Sequence, residues 1–441
     1  MRILLVSCYE LGHQPVTLSW PAAFLKRDGF DVELADASVK PLEGDALRGL
    51  SIVGISVPMH TALRLGIQVA ERVRRASPSA HICFYGLYAT LNAEYLVSTV
   101  ADSVLGGEYE ENLVALVRSL ASGREAAMGP SLSRLSFPVP SRESLPGLEH
   151  YAHLERDGAR VKAGYVEASR GCLHTCRHCP IPPVYGGRFF VVPREVVLAD
   201  VRNLVSAGAE HVTLGDPDFL NGPGHALAVA RAIHAEFPRV TFDFTAKIEH
   251  LLGRRTVLPE LSALGCVFAV SAVESLSNAV LANLKKGHTR EDVFVATRLL
   301  REAGISLRPS FVSFTPWTTL EDYADILSWV EEDGLVDNVD PVQYSIRLLV
   351  PPGSSLVTEP AMKPFLGPLV RESLSYTWSH PDPRLDWLHL EVAELVEEAA
   401  TRKEDPAATF ARIVKLATGR RVTPLPKGRL RPPRLTEDWF C

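Results

Sequence analysis

The segment Glu167-Ala-Ser-Arg-Gly-Cys172-Leu-His-Thr-Cys176-Arg-His-Cys179-Pro180 carries three of the seven cysteines of the chain within eight residues. It overlaps a short apolar run at residues 165–168, which predicts a strand with the cysteines on the loop beyond its carboxyl end. Three thiolates on one short loop can bind three irons of a 4Fe–4S cube and leave the fourth iron without a protein ligand. We therefore predict Cys172, Cys176 and Cys179 as the metal ligands of such a cluster.

Zinc is the competing metal for this loop, with His174 or His178 as its fourth ligand. Structural zinc sites usually pair two short ligand clusters, and no second cluster follows in the sequence. A third interpretation, unligated cysteines in a core, would require an apolar run, whereas His174, Thr175, Arg177 and His178 are polar. The loop therefore favours iron–sulfur and leaves zinc as the alternative.

A β/α unit repeats from Gly164 to Val350, and each unit has a glycine, a short apolar strand, a polar tip and an amphipathic helix. Six units fall short of the eight in a complete barrel. We therefore expect an open-sided partial (β/α)6 TIM barrel over residues 161–352, with its chemistry at the carboxyl ends of the strands. The predicted strands are 165–168, 211–215, 241–245, 267–271, 307–312 and 342–349.

Short apolar runs also alternate with amphipathic stretches near the amino terminus, as in a doubly wound α/β sheet. We expect a Rossmann-like domain over residues 1–122, including a helix that begins at Pro21, where a first turn tolerates proline. The ligands of such sheets bind beyond the carboxyl ends of the strands. The predicted strands are 3–6, 32–34, 52–57, 82–85 and 103–105, and the other predicted helices are 62–73 and 112–120.

Three further segments complete the predicted organisation. Residues 123–160 are rich in Ser, Pro and Gly and predict a linker. Residues 353–420 predict a helical region with helices at 388–400 and 407–416. Residues 421–441 are basic and rich in proline and predict an extended tail.

The composition excludes several classes of protein. Hydrophobic residues make up 46 % of the chain and charged residues 22 %, which excludes disorder for its bulk. The net charge of −6 provides no overall positive field for nucleic acid or anionic lipid. The apolar run before Ser7 is too short for a signal peptide or for the ~20 residues of a membrane span. We expect a cytoplasmic protein without nucleic-acid or membrane partners.

Taken with motifs at later strand ends, the cysteine loop resembles that of the radical S-adenosylmethionine (SAM) superfamily. The segment 215–219, Gly-Asp-Pro-Asp-Phe, resembles the family's segment near the methionine amino group, and the run from Ser271 to Thr289 resembles its E-S…vL…nKGhT run. The resemblance implies that the open iron chelates SAM and that an electron from the reduced cluster cleaves a sulfur–carbon bond, giving a 5′-deoxyadenosyl radical. The SAM-binding residues it implies are Asp216, Asp218, Lys247, Glu249, Ser271, Glu274 and Arg308.

Each of these SAM residues also has a purely structural interpretation. Asp216 and Asp218 suit the cap of a helix or turn, and Glu274 suits a surface ion pair. Lys247 and Arg308 suit solvated charges at the rim. Their recurrence at successive predicted strand ends is what favours a site, because barrel sites are assembled there.

An α/β domain before such a core is similar to the cobalamin-binding class of the superfamily. Glycines let the backbone approach a large ligand closely. The D-x-H-x-x-G pattern of other cobalamin domains is missing, since Leu11 and Val16 stand around His13 in place of its aspartate and glycine. The alternative is a domain kept for packing or for substrate. The cobalamin residues that the resemblance implies are Ser56, Gly86, Gly106, Gly107 and Glu108.

The run from Tyr165 to Leu349 resembles a narrower group, the radical SAM proteins with a CUAEP or CCAEP tail. That group ends in a cysteine or selenocysteine dyad followed by Ala-Glu-Pro, and the sequence given stops at Cys441, where the second member of the dyad would come. We expect the gene to continue there through a selenocysteine codon. A free terminal cysteine is the alternative, and the codon after 441 distinguishes the two.

The resemblance implies a radical SAM enzyme that transfers a methyl or alkyl group through cobalamin to a small molecule, with a reductant such as flavodoxin or ferredoxin as partner. One alternative is an enzyme without cobalamin that transfers the aminocarboxypropyl group of SAM or abstracts hydrogen. The other is a zinc-binding regulatory protein. The sequence assigns neither the substrate nor a residue that contacts it in the reaction.

Overall fold

The computed structural model describes residues 1–123, 129–423 and 425–436. The amino-terminal part is a parallel five-stranded sheet in the order β2-β1-β3-β4-β5, with helices between the strands, as predicted. Its carboxyl edge carries the loops that face the rest of the chain. The elements are β1 Ile3–Ser7, α1 Val16–Arg27, β2 Glu33–Asp36, β3 Ile52–Ser56, α2 His60–Ala76, β4 His81–Tyr85, α3 Leu87–Leu91, α4 Ala93–Thr99, β5 Ser103–Leu105 and α5 Glu110–Ala121.

Helix α1 corrects one prediction. Pro21 lies inside the helix and does not begin it, because Pro15 occupies the N-cap position. Proline has no N–H, so the carbonyl oxygen of Thr17, four residues earlier, loses its helical partner. The Tyr85 hydroxyl donates to that oxygen at 3.1 Å. A tertiary hydrogen bond thus replaces the missing helical one.

The second part is a curled sheet in the order β13-β12-β11-β10-β7-β6-β16. Strands β7 and β10 to β13 are parallel and alternate with helices, which confirms the predicted half-barrel class. Its elements are β6 His153–Arg156, β7 Ala159–Val166, β8 Ser169–Gly171, α6 Ile181–Tyr185, β9 Phe189–Val191, α7 Arg194–Ser206, β10 His211–Leu214, α8 Pro223–Glu236, β11 Thr241–Thr245, α9 Ile248–Gly253, α10 Leu258–Ala263, β12 Cys266–Glu274, α11 Asn278–Asn283, α12 Arg290–Glu302, β13 Ser306–Phe311 and α13 Leu320–Glu332.

Residues 342–349, predicted as a sixth strand, do not form one. Pro341–Ser345 is a 3-10 helix, and beyond it Arg347 makes an isolated bridge with Phe314. The Gln343 side chain accepts a hydrogen bond from the Phe311 backbone N–H at 3.0 Å. This side chain takes the place that a strand carbonyl would have beside β13.

The carboxyl-terminal part contains a hairpin that the sequence did not predict. Its strands precede the two helices, which include the predicted helical segments. Leu374, at the hairpin turn, is buried in the hydrophobic core of the amino-terminal domain. The elements are β14 Leu366–Val370, β15 Ser375–Trp378, α14 Pro383–Thr401, α15 Pro406–Thr418 and β16 Arg434–Leu435.

The predicted linker and the predicted tail each contribute one strand to the barrel sheet. Strand β6 lies inside the predicted linker, and β16 lies inside the predicted tail and pairs antiparallel with β6. The terminal residues 437–441, which include Cys441, lie outside the described residues. Within the described ranges, no helix has the length and apolar character that crossing a membrane requires.

Candidate functional site

The cysteine loop follows β7 and β8 at the carboxyl edge of the barrel sheet. Gly171 precedes it with a φ of +71°, and a Cβ there would collide with the carbonyl oxygen of Arg188. Cys172 and Cys176 are buried, and Cys179 is half-buried. Glycine is therefore needed where the chain leaves β8 and enters the cysteine loop.

The surroundings of the thiols suit an anionic, metal-bound sulfur. The backbone N–H of His174 donates to Cys172 Sγ at 3.5 Å, and Asn221 Nδ2 donates to the same sulfur at 3.6 Å. Burial raises the pKa of Cys172, and burial raises the pKa of Cys179 to about 12. A bound metal ion reverses this effect by holding the thiolate form. These residues therefore fit a 4Fe–4S cluster.

The two histidines of the zinc alternative have other partners. His174 Nε2 lies 3.0 Å from Nε2 of His250, and His178 Nε2 lies 3.1 Å from Oε1 of Glu274. Each ring therefore links the loop to a different strand end of the barrel.

Glu274, at the end of β12, lies beside the loop and is held there by two partner side chains. Its φ is +62° at a register shift between β12 and β13, a conformation that is strained for glutamate. Lys286 Nζ lies 3.0 Å from its Oε1. Burial alone would raise the pKa of Glu274, but Lys286 and His178 outweigh it and hold this pKa well below its usual range. Glu274 therefore remains a carboxylate beside the loop.

Asp216 and Asp218 follow β10 and differ in their contacts. Asp216 accepts hydrogen bonds from the Ala168 backbone N–H at 2.7 Å and from the Ser169 hydroxyl, so it fixes the chain just before the loop. Burial raises the pKa of Asp216 to about 7. Asp218 Oδ1 caps a turn at Leu220, whereas its Oδ2 lies 2.8 Å from His250 Nδ1. Turn capping therefore accounts for Oδ1 of Asp218, whereas Oδ2 contacts His250.

Three further predicted SAM residues lie at the ends of β11 and β12. Lys247 Nζ is 3.1 Å from Oε2 of Glu249, and that oxygen is 3.5 Å from His174 Nδ1. The Ser271 hydroxyl donates to the carbonyl oxygen of Ala246 at 2.7 Å, which ties β12 to the end of β11. Through these contacts, Lys247 and Glu249 join the group around the loop.

Arg308 differs from the other predicted SAM residues in its position. It pairs in register with Val270, below the strand end that carries Glu274, and it lines a cavity of about 330 Å³. We call this cavity the interdomain chamber because its walls come from the concave face of the barrel and from the carboxyl edge of the amino-terminal sheet. Arg308 Nη2 donates to Oδ2 of Asp340 at 2.6 Å, whereas Nη1 is buried and has no hydrogen-bond partner among the described residues.

The five predicted cobalamin residues fall into two groups. Ser56 and Gly86 line the interdomain chamber. Gly106, Gly107 and Glu108 are instead covered by the segment around Ser131, whose backbone bonds to Gly106 and Glu108 at 3.1 and 2.7 Å. A Cβ at Gly107 would collide with the Ser131 carbonyl oxygen. The chain itself therefore fills the space beside this turn.

Glu108 belongs to a buried group of charges between the two domains. Arg170 Nη1 is 2.6 Å from Glu110 and 3.6 Å from Glu108, and Arg170 Nε is 3.0 Å from Glu167. The Tyr185 hydroxyl donates to Glu108 at 2.9 Å. Burial raises the pKa of Glu108, and burial raises the pKa of Glu110 to about 7. One guanidinium thus faces three carboxylates beside the cysteine loop.

Glu10, on the loop after β1, lines the chamber and is 8 % exposed. The hydroxyls of Ser7 and Thr17 donate to it. Burial raises the pKa of Glu10 to about 8, and the nearby carboxylates Asp36 and Glu167 act in the same direction.

Replacing Glu10 by glutamine is expected to raise the free energy of unfolding by roughly 2 to 4 kcal/mol at pH 8, and by less than about 1 kcal/mol at pH 5. A carboxyl whose pKa is higher in the folded protein stabilises at low pH, and this contribution is lost as the pH rises from about 4.5 to 8. Urea unfolding at the two pH values measures the difference. Glu71→Gln, at an exposed position, is the control. An equal effect of E10Q at both pH values would contradict the burial argument.

Sequence reasoning missed Asn221, His250 and Glu10 as contributors to these sites, and it included Lys286 only within a motif. Asn221 and His250 follow β10 and β11, so strand-end position was an available signal. Glu10 offered no such signal, because its burial depends on packing between the domains.

The family model "Radical SAM superfamily" matches residues 166–330. A putative methylthiotransferase of Methanocaldococcus jannaschii is 24 % identical, over 74 % of this chain and 73 % of that protein. An uncharacterised methyltransferase of Pyrococcus horikoshii is 22 % identical, over 76 % of each chain.

Two solved structures share the fold. The radical SAM methyltransferase TsrM from Kitasatospora setae, solved with tryptophan and a SAM analogue, aligns with a TM-score of 0.59 and 20 % identity, over 76 % of this chain and 72 % of that one. The cobalamin-dependent radical SAM enzyme OxsB aligns with a TM-score of 0.69 and 15 % identity, over 91 % and 67 %. Since the matched segment 166–330 holds the cysteine loop and strands β10 to β13, this segment is a radical SAM domain, and the chain that carries it is an enzyme.

Proposed function

We propose that this enzyme transfers a methyl or alkyl group from SAM to a small molecule, with a 4Fe–4S cluster and cobalamin as its cofactors. The observation that carries the proposal is the chamber enclosed between the radical SAM barrel and a Rossmann-like sheet. Such a chamber can hold two reacting groups against each other away from bulk water. The class of the relatives, methyltransferases and methylthiotransferases, supports the transfer reaction.

Cys172, Cys176 and Cys179 would bind the cluster, and the residues around the loop would bind SAM. Glu274 is a carboxylate that Lys286 and His178 hold in one position, which suits a hydrogen bond to a ribose hydroxyl. Asp218 and Glu249 place two more acceptors on the other side of the loop, where they suit the methionine ammonium group. Asp216 and Ser271 position backbone and would act through it. When bound, the cluster supplies the electron that cleaves a sulfur–carbon bond of SAM, and cobalamin supplies an alkyl carrier.

The residues that would contact cobalamin are Ser56 and Gly86, which line the amino-terminal wall of the chamber. Gly86 has a φ of +107° and lies against the backbone of Val57. This conformation favours glycine, so no side chain projects into the chamber at this point of the wall. The turn at Gly106 and Gly107 fits less well, because the segment around Ser131 covers it. The proposal therefore places the contact with cobalamin at β3 and β4 rather than at β5.

Anaerobic reconstitution with iron, sulfide, hydroxocobalamin and SAM, followed by reduction with dithionite, tests this proposal. We expect a bound corrinoid spectrum after gel filtration and 5′-deoxyadenosine or S-adenosylhomocysteine as the product of SAM. Methylthioadenosine without bound corrinoid would support aminocarboxypropyl transfer instead. Zinc at unit stoichiometry without sulfide would contradict both.

A further inference from the structure

The lining of the interdomain chamber carries more negative than positive charge. Its carboxylates are Glu10, Glu167, Asp243 and Asp340, and its guanidinium groups are Arg170 and Arg308. Each arginine already has a carboxylate partner in the wall, Glu167 for Arg170 and Asp340 for Arg308. Arg170 is also shared with Glu108 and Glu110 outside the chamber. The balance of the wall is therefore acidic.

Among the described contacts of these carboxyl groups, those of Glu10 include no cation. Its described hydrogen-bond donors are two neutral hydroxyls, and Asp36 and Glu167, the charged groups that act on its pKa, are carboxylates. The phenols of Tyr85 and Tyr151 also face it, from β4 and from the segment before β6. His13, from the same loop, lines the chamber beside it. A buried carboxyl in such surroundings gains most from a cationic partner.

Arg308 provides the second, independent observation. The residue is 8 % exposed and lines the chamber, and within the described part of the chain its buried Nη1 has no hydrogen-bond partner. A buried guanidinium with an unused N–H carries a desolvation penalty, which a ligand oxygen at this side chain would reduce. Because Asp340 occupies the other edge, Arg308 suits one oxygen of a ligand rather than a second buried counterion.

We propose that the interdomain chamber binds a substrate with a protonated amine, held by Glu10, and an oxygen acceptor, a carboxylate or carbonyl, held by the guanidinium of Arg308. This inference rests on the proposed function, since it takes the chamber as the substrate site. It assigns the substrate to the amino-acid-like compounds and names the two residues that select it. Neither residue reacts; both hold the substrate, one at each polar group.

The test is calorimetric binding to the full-length, cluster-reconstituted protein, with no turnover required. The probes are the ω-amino acids from glycine to 6-aminohexanoate, each with the n-alkylamine and alkyl carboxylate of matched length. We expect at least one amino acid to bind at least about tenfold more tightly than both of its matched single-charge probes, as two hydrogen-bonded charged groups allow. Binding at pH 7 should release close to one proton, because the cation favours ionised Glu10.

Two variants separate the contributions. Glu10→Gln should weaken the amines and the amino acids alike and abolish the proton release. Arg308→Gln should weaken the amino acids and the alkyl carboxylates but not the alkylamines, and Arg308→Lys should restore part of the loss. Glu71→Gln, at an exposed site, should change nothing. Thermal unfolding of each variant shows whether it is folded.

Three results would overturn the inference. One is equal binding of every amino acid and its matched single-charge probes. Another is unchanged amine binding by E10Q together with weaker retention of hydroxocobalamin, since Glu10 would then accept from corrin amides. The third is unchanged amino-acid binding by folded R308Q. Absence of SAM cleavage, by contrast, would contradict the proposed function and leave the binding result standing.

Discussion

Replacing any one of Cys172, Cys176 and Cys179 by alanine is expected to leave the protein without a full 4Fe–4S cluster and to reduce SAM cleavage to the uncatalysed background. In the proposed cluster each thiol binds one iron, so the loss of one would expose a second iron and destabilise the cube. The loop offers no described thiol as a substitute, because the next cysteine in the chain, Cys266, lies in strand β12. The effect should therefore be nearly complete for each of the three positions.

Iron and sulfide analysis, the absorbance of the reconstituted protein and chromatography of the SAM products measure this effect. Cys266→Ala is the matched control, since Cys266 is buried in the sheet and is not part of the loop. It should keep the cluster and cleave SAM, with at most a modest loss of stability from the deleted sulfur. A loop variant that keeps four irons and turns over would refute the assignment of the ligands.

The cysteine loop and the half-barrel were predictable because their signals are local. The spacing of the three cysteines within eight residues and the alternation of predicted strands and helices can both be recognised without knowledge of tertiary contacts. The apolar run at 342–349 shows the limit of this reasoning. Its hydrophobicity reflects burial of a 3-10 helix against β13, and hydrophobic periodicity does not distinguish a short buried helix from a buried strand.

The charged contacts of the site were less predictable than the cysteine loop. Lys286 reaches Glu274 from twelve residues away, and His250 reaches Asp218 from thirty-two, through the closing of the barrel. Arg170 and Glu110 come from different domains, so only their packing brings them within 2.6 Å. The role of Glu108 shows this best. The sequence assigned it to cobalamin, whereas the structure places it against Arg170 and Tyr185.

Replacing Arg170 by methionine is expected to lower the free energy of unfolding by about 3 to 5 kcal/mol at pH 8. The side chain is buried, and its loss leaves Glu108 and Glu110, both fully buried, without their cation. The loss should be smaller at pH 6. Burial already raises the pKa of Glu110 to about 7 with Arg170 present. Without the arginine this pKa rises further, so protonation at pH 6 removes part of the unpaired charge.

Denaturant unfolding at pH 6 and pH 8 measures the loss, and Arg202→Met is the matched control. Arg202 pairs with Glu236 on the surface at 2.6 Å, where solvent screens the pair and leaves it little effect on stability. The double variant Arg170→Met with Glu110→Gln should recover much of the stability, because it removes a charge that the single variant leaves unpaired. A loss that is independent of pH and is not recovered by E110Q would mean that Arg170 stabilises by packing on Phe137 and Trp20.

The Arg170→Met variant also tests how the amino-terminal domain affects the cysteine loop. Arg170 lies two residues before Cys172, and Glu108 contacts both Arg170 and Tyr185, so the amino-terminal domain contacts both flanks of the loop. If these contacts position the thiols, R170M should incorporate less iron even at pH 6, where its loss of stability is smaller, and R170K should restore part of the iron. Full iron content in folded R170M would show that the loop keeps its geometry through Gly171 and Asp216 alone, and that the interdomain charges serve stability rather than the metal site.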